Sequence, residues 1–96
     1  MANSLVSIQI IPKTESNEDV YTYVDAAIAV IDEADIKYQV NALETTMEGE
    51  LSALLHIIQK MNDTMVEMGA PNIISQVKIL HQPAGITMDT LTEKYR

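Results

Sequence analysis

The residues best equipped for chemistry stand together at positions 38–49, YQVNALETTMEG, where a tyrosine, two threonines, an amide and the carboxylate of Glu48 fall within one short stretch. Hydroxyls, amides and one acid can hydrogen-bond an aminopyrimidine, and Tyr23 or Tyr38 offers a ring to stack on a cationic heterocycle. The same residues also have a plainer use. Glu48 and Glu50 stand beside the start of an expected helix, where a carboxylate contributes ~0.3–1 kcal/mol against the helix dipole. Chemistry alone leaves both readings open. His56 and His81 are the only histidines and there is no cysteine. A transition-metal site would therefore have to recruit acids such as Glu48 or Glu50, in a spacing that matches no recognisable ligand set. A Ser7–His56–acid arrangement can be drawn, but no nucleophile elbow frames it. Neither enzyme activity nor a metal or other cofactor is expected.

These side chains have to be positioned by a repeated plan. Alternation over residues 6–11 predicts a strand, and an amphipathic pattern over 19–34 predicts a helix, opened by Ser16 three residues before Asp19 as a capping pair. A short strand follows at 37–40. The plan then recurs as a strand at 43–47, a helix at 50–68 and a strand at 73–80. Strand, helix, strand, twice over, is the βαββαβ order of an α+β, ferredoxin-like sandwich: a four-stranded antiparallel sheet with two helices on one face. The first helix presents Val20, Val24, Ala27, Ile28 and Ile31 to the sheet. In the second, a stripe through Leu51, Leu54, Leu55, Ile58 and Met61 reaches Met68 before Gly69 and Pro71 end it. Residues 81–96 contain Pro83 and Gly85, then a short helical pattern in Met88, Leu91, Thr92 and Tyr95. They read as a C-terminal extension docked on a neighbour or on its own sheet.

Alternation sends Val6, Ile8 and Ile10 of the first strand, and Val77 and Ile79 of the last, toward the helices. The opposite face is mixed. It carries Ser7, Gln9 and Ile11, then Gln39 and Asn41, then Ile74, Gln76, Lys78 and Leu80. A solvated face would hold more charge and an apolar interface fewer amides, so this surface is expected to meet another subunit.

A chain of 96 residues is expected to be one domain, spanning 1–96, with a small core, since a domain of this size buries roughly 60–65% of its unfolded surface. No apolar run approaches the ~20 residues needed to span a bilayer. Residues 1–6 show no basic region followed by an apolar stretch, so no secretory signal is expected. The absence of cysteine removes a disulfide frame, thiolate catalysis and an iron–sulfur cluster, and points to the cytoplasm. Fourteen carboxylates against six cations give a net charge of −8, and Arg96 is the only arginine. That balance repels a phosphate backbone, so nucleic acid is not an expected partner. It also excludes an acylphosphatase, which needs an arginine in a phosphate loop. An RNA-recognition domain, which needs sheet aromatics and basic charge, is excluded as well.

Three stretches, VSIQIIP from Val6, VYTYVDAAIAVI from Val20 and above all KYQVNALETTMEGEL from Lys37, resemble the YkoF-related thiamine-binding protein family. The likeness continues through Gly69 and Ala70 into SQVKI and the tail TMDTLTEKYR. It implies a ferredoxin-like domain that pairs through its sheets into a homotetramer and binds thiamine or its hydroxymethylpyrimidine portion without catalysis. The positions that match the family's site are Ser7, Gln9, Tyr38, Thr45 and Glu48. Gln9 and Glu48 would be hydrogen-bond partners of the pyrimidine, Ser7 and Thr45 secondary contacts, and Tyr38 a wall. This chain departs from the family at Asn41 and Ala42, in place of a glycine–proline pair, at Glu44, in place of a glycine, and at Asn72, in place of a basic residue. The altered loop favours a second reading, a structural or regulatory homo-oligomer with no small-molecule ligand.

Overall fold

The computed structural model describes residues 2–13 and 20–95. Among these the order is β1 (Ser4–Lys13), α1 (Val20–Glu33), β2 (Lys37–Val40), β3 (Thr45–Gly49), α2 (Leu51–Glu67), β4 (Asn72–His81) and α3 (Met88–Thr92), with a single 3-10 turn at Glu93–Tyr95. The sheet runs β2-β3-β1-β4, and every neighbouring pair is antiparallel. This is the ferredoxin-like α+β plan read from the sequence.

Register explains why one face is buried. Val6 lies opposite Met47 on one side and Ile79 on the other, and Ile8 opposite Thr45 and Val77. With a side-chain period of two, these residues share the inner face. Val6, Ile8 and Met47 are buried there against Ala27 and Ile31 of α1 and Leu54, Met61 and Met65 of α2. The helix stripes sit slightly rotated from expectation. In α1 Tyr23 is buried whereas Val20 is exposed, and in α2 Ile57 is buried whereas Leu55 is exposed. Tyr23 is therefore a core residue, and its hydroxyl donates to the Met68 carbonyl at 2.9 Å, at the end of α2. It presents no ring for stacking.

The ends of α2 are each closed by a distinct device. At the C-terminus Gly69 adopts φ +103°, the left-handed region that glycine enters without steric cost. Its N–H donates to the Val66 carbonyl at 3.0 Å, and that of Ala70 to the Met65 carbonyl at 3.1 Å, the paired bonds of a Schellman motif. At the N-terminus the cap comes from outside the helix, because Glu50 makes no side-chain cap bond of its own. Asn3 supplies it: Oδ1 accepts from the Leu51 N–H at 3.0 Å, and Nδ2 donates to Glu50 Oε2 at 2.6 Å. The cap expected at Ser16 and Asp19 lies outside the described residues.

Two segments differ from the sequence reading. β3 begins at Thr45 rather than 43 because a tight turn holds the preceding residues: the Asn41 N–H donates to the Glu44 carbonyl at 2.8 Å, and Asn41 Nδ2 to Glu44 Oε1 at 3.0 Å. Leu43 is left in that turn, three-quarters exposed at 75%. The C-terminal extension lies on the chain's own sheet. Ile86 and Met88 form a small second core with Leu5 on the outer face. Among the described residues no helix is long and apolar enough to cross a membrane.

Candidate functional site

β1 is much longer than its partner β3. Pairing between them ends at Ile8↔Thr45, whereas β1 continues beside β4 as far as Lys13↔Asn72. From Gln9 onward, among the described residues, one edge of β1 therefore has no strand beside it. The Asn41–Glu44 turn overhangs this gap, and a cavity of about 200 Å³ opens between the turn, β1 and the two helices. Its polar lining is Gln9, Asn41, Glu44 and Thr45, and apolar walls come from Ile10, Val24, Ile28 and Met61. Thr45 is buried and Glu44 half-buried. Apolar walls with a few hydrogen-bonding groups are the usual make-up of a small-molecule site.

A second cavity, of about 190 Å³, lies on the outer sheet face and shares Gln9 and Glu44 with the first. Ser7, Gln76 and Lys78 complete its polar lining. Ser7 and Gln9 are neighbours on that face, and Gln9 stands opposite Gln76 in the β1–β4 register.

Strand alternation divides the five residues singled out from the sequence. Ser7, Gln9 and Thr45 border the two cavities around the end of β3. Tyr38 does not join them. It lies opposite the buried Met47 on the helix side, packs against the core, and donates its hydroxyl to Asp32 Oδ1 at 2.9 Å. That bond to a carboxylate raises the Tyr38 pKa above its ordinary 10.0. Glu48 is on the outer face but at the other end of β3, opposite Lys37 and Leu5. There its Oε1 accepts from the Met88 N–H at 2.7 Å, holding the start of α3. It borders a separate cavity of about 360 Å³ lined also by Gln82, Thr87 and Thr90. Lys37 pins the same helix through Asp89 Oδ2 at 2.7 Å, and this hydrogen bond raises the Lys37 pKa above 10.5. Asn41 and Glu44, which are not among the five candidates, form the turn over the first cavity. Their signal was present as two departures from the family pattern in one loop.

Other arrangements considered from the sequence do not assemble. His56 is exposed on α2, and Ser7 lies on the far face of the sheet from the helices. A serine and a histidine do meet elsewhere, with Ser4 Oγ 2.8 Å from His81 Nδ1. Ser4 is fully buried and its hydroxyl donates to Asn3 Oδ1 at 3.0 Å, so it has no access to a substrate. Among the described residues no three His, Cys, Asp or Glu side chains gather to hold a metal ion.

Comparison with known proteins decides the family. Residues 6–96 match the model of the family described as thiamine-binding protein. The chain belongs to this thiamine-binding protein family. A UPF0045 protein of Clostridium perfringens is 42% identical over 91 residues, which is 95% of each chain. Among solved structures, a domain of unknown function, DUF77, from Bacillus cereus superposes with a TM-score of 0.91 at 36% identity, covering 99% of this chain and 92% of that one. A structure from Thermotoga maritima, whose name proposes a role in thiamine biosynthesis or salvage, gives 0.88 at 28% identity, covering 98% and 99%.

Proposed function

We propose that this family member is a non-enzymatic, cytoplasmic binding protein for thiamine or its hydroxymethylpyrimidine moiety, working as one domain over residues 1–96. The observation that carries the reading is the cavity at the end of β3. Gln9 and Thr45, two of the residues that match the family's site, both line that cavity, alongside Asn41 and Glu44 and between apolar walls. In this reading Gln9 and Thr45 hydrogen-bond the pyrimidine and Ser7 makes a secondary contact from the outer face. Tyr38 acts as a wall at one remove, by tying β2 to Asp32 of α1. Glu48 borders the cavity beside α3 and is the alternative anchor for the pyrimidine.

Assembly into a homotetramer from sheet-paired dimers belongs to the same proposal. β4 forms one edge of the sheet and exposes Ile74, Val77, Ile79 and Leu80. A ten-residue edge strand with exposed apolar side chains favours pairing with another chain. The same observation favours the second reading, a structural or regulatory homo-oligomer with no ligand. Calorimetric titration with thiamine, thiamine phosphates and hydroxymethylpyrimidine separates the two. Heat and a raised melting temperature support the binding protein; neither signal from any compound at millimolar concentration ends it, and an oligomer that persists without ligand then favours the second reading.

A further inference from the structure

Each of the two cavities beside the end of β3, at about 200 and 190 Å³, is smaller than the ~300–1,000 Å³ usual for ligand pockets, and together they reach that range. They flank the place where β1 has lost its β3 neighbour, and Gln9 and Glu44 line both. A ligand of two linked rings can place one ring on each side of this gap. Among the described residues, Glu44 is the charged one that lines the first cavity. Its side chain is held at one oxygen, Oε1, by Asn41 Nδ2 at 3.0 Å, which restrains the carboxylate. The second cavity adds Lys78. The two charges are not equivalent, however, because Lys78 is exposed and Glu44 is half-buried, so water screens the lysine more strongly.

From this geometry we infer that Glu44 is a specificity residue, selecting a ligand with a permanently cationic ring next to a neutral one. The inference rests on the reading that the site binds thiamine or its pyrimidine moiety, and it distinguishes between them. Thiamine carries a thiazolium cation that Glu44 can answer. Hydroxymethylpyrimidine has the neutral ring only, fills one cavity, and can take a hydrogen bond but no charge pairing from the carboxylate. The acidity of the chain as a whole, −8, attracts cations generally, and a control must remove that contribution.

The experiment is calorimetric titration of the full chain with thiamine and with hydroxymethylpyrimidine, for the wild type, Glu44→Gln and Asp63→Asn. Gln at 44 keeps an oxygen to accept from Asn41 and loses only the charge. Asp63, exposed on α2, supplies the same change in net charge away from the cavities. The wild type is expected to favour thiamine, and Glu44→Gln to lower the ratio of the two affinities about fivefold, the scale of a partly exposed charge pair. Asp63→Asn should leave that ratio within twofold. A ratio that falls less than threefold in Glu44→Gln, or that falls equally in Asp63→Asn, overturns the inference while leaving the binding function intact. Silence from both compounds in the wild type overturns the binding function and this inference with it. Should Glu44→Gln fail to fold, Glu44→Ser, whose hydroxyl can accept from Asn41, reads the same ratio against the same threshold.

Discussion

Glu48 on β3 accepts a hydrogen bond from the Met88 N–H at 2.7 Å, tying the middle of the chain to its last helix. With five residues, α3 is too short to be stable alone. It is held by this bond, by Lys37–Asp89 and by the contact of Ile86 and Met88 with Leu5.

Replacing Glu48 with alanine is therefore expected to loosen residues 86–95 first. A hydrogen bond to a charged group contributes about 1.5–3 kcal/mol, so Glu48→Ala should lower unfolding stability by an amount in that range and speed proteolysis of the tail. Glu48→Gln, which retains an acceptor oxygen, should lose less. Equal stability and equal cleavage in the alanine variant would refute this role.

Removing the Asn3 side chain should destabilise the protein by about 0.5–2 kcal/mol, the usual cost of losing a helix cap. Asn3 Oδ1 accepts from both Leu51 N–H and Ser4 Oγ; in Asn3→Ala the Ser4 hydroxyl keeps His81 Nδ1 as a partner at 2.8 Å, whereas the Leu51 N–H loses its acceptor. Denaturant unfolding of Asn3→Ala measures the loss; a midpoint matching the wild type would show that water replaces the cap.

Alkaline pH should weaken the fold through Tyr38. Its folded pKa is raised above 10.0, chiefly because the hydroxyl donates to Asp32. A raised folded value means that this contribution is complete below about pH 10 and disappears as pH rises through the higher folded value. The Tyr38→Phe variant lacks the ionising hydroxyl and should lose melting temperature less steeply above that pH. Parallel melting curves from pH 9 to 11 would refute the coupling. Lys37, raised above 10.5 by its bond to Asp89, has the same sign and acts in a slightly higher window.

Ligand affinity should depend on Gln9 more than on Glu48. If the cavity at the end of β3 is the site, Gln9→Ala removes one hydrogen bond and weakens thiamine binding about two- to tenfold, at ~0.5–1.5 kcal/mol per bond. Titration of Gln9→Ala and Glu48→Ala side by side tests this. Loss of binding in the Glu48 variant alone would move the site to the cavity beside Thr87.

The sheet was legible in the sequence because alternation at Val6, Ile8 and Ile10 coincides with a real inner face, and Val77 and Ile79 match it across the register. Errors arose where an apolar residue serves a turn. Leu43 resembles the start of a strand, yet the Asn41–Glu44 bonds close the chain around it. The helix stripes were slightly misplaced for a related reason. Tyr23 has a polar tip that reaches the Met68 carbonyl, so it can be buried, and hydrophobicity alone favoured Val20. The site was harder to read than the fold. Residues close in sequence, such as Thr45 and Glu48, are sent to opposite faces by a period of two, and Gln9 and Thr45 border one cavity because Thr45 pairs with the neighbouring Ile8.

The resting place of α3 also bears on the proposed assembly. It lies over Leu5, Gln39 and Thr46, shading the half of the outer sheet built from β2, β3 and the start of β1. A second molecule laid against that surface would have to slide toward β4 to clear it. The tail would then act as a spacer, fixing the offset between the stacked sheets.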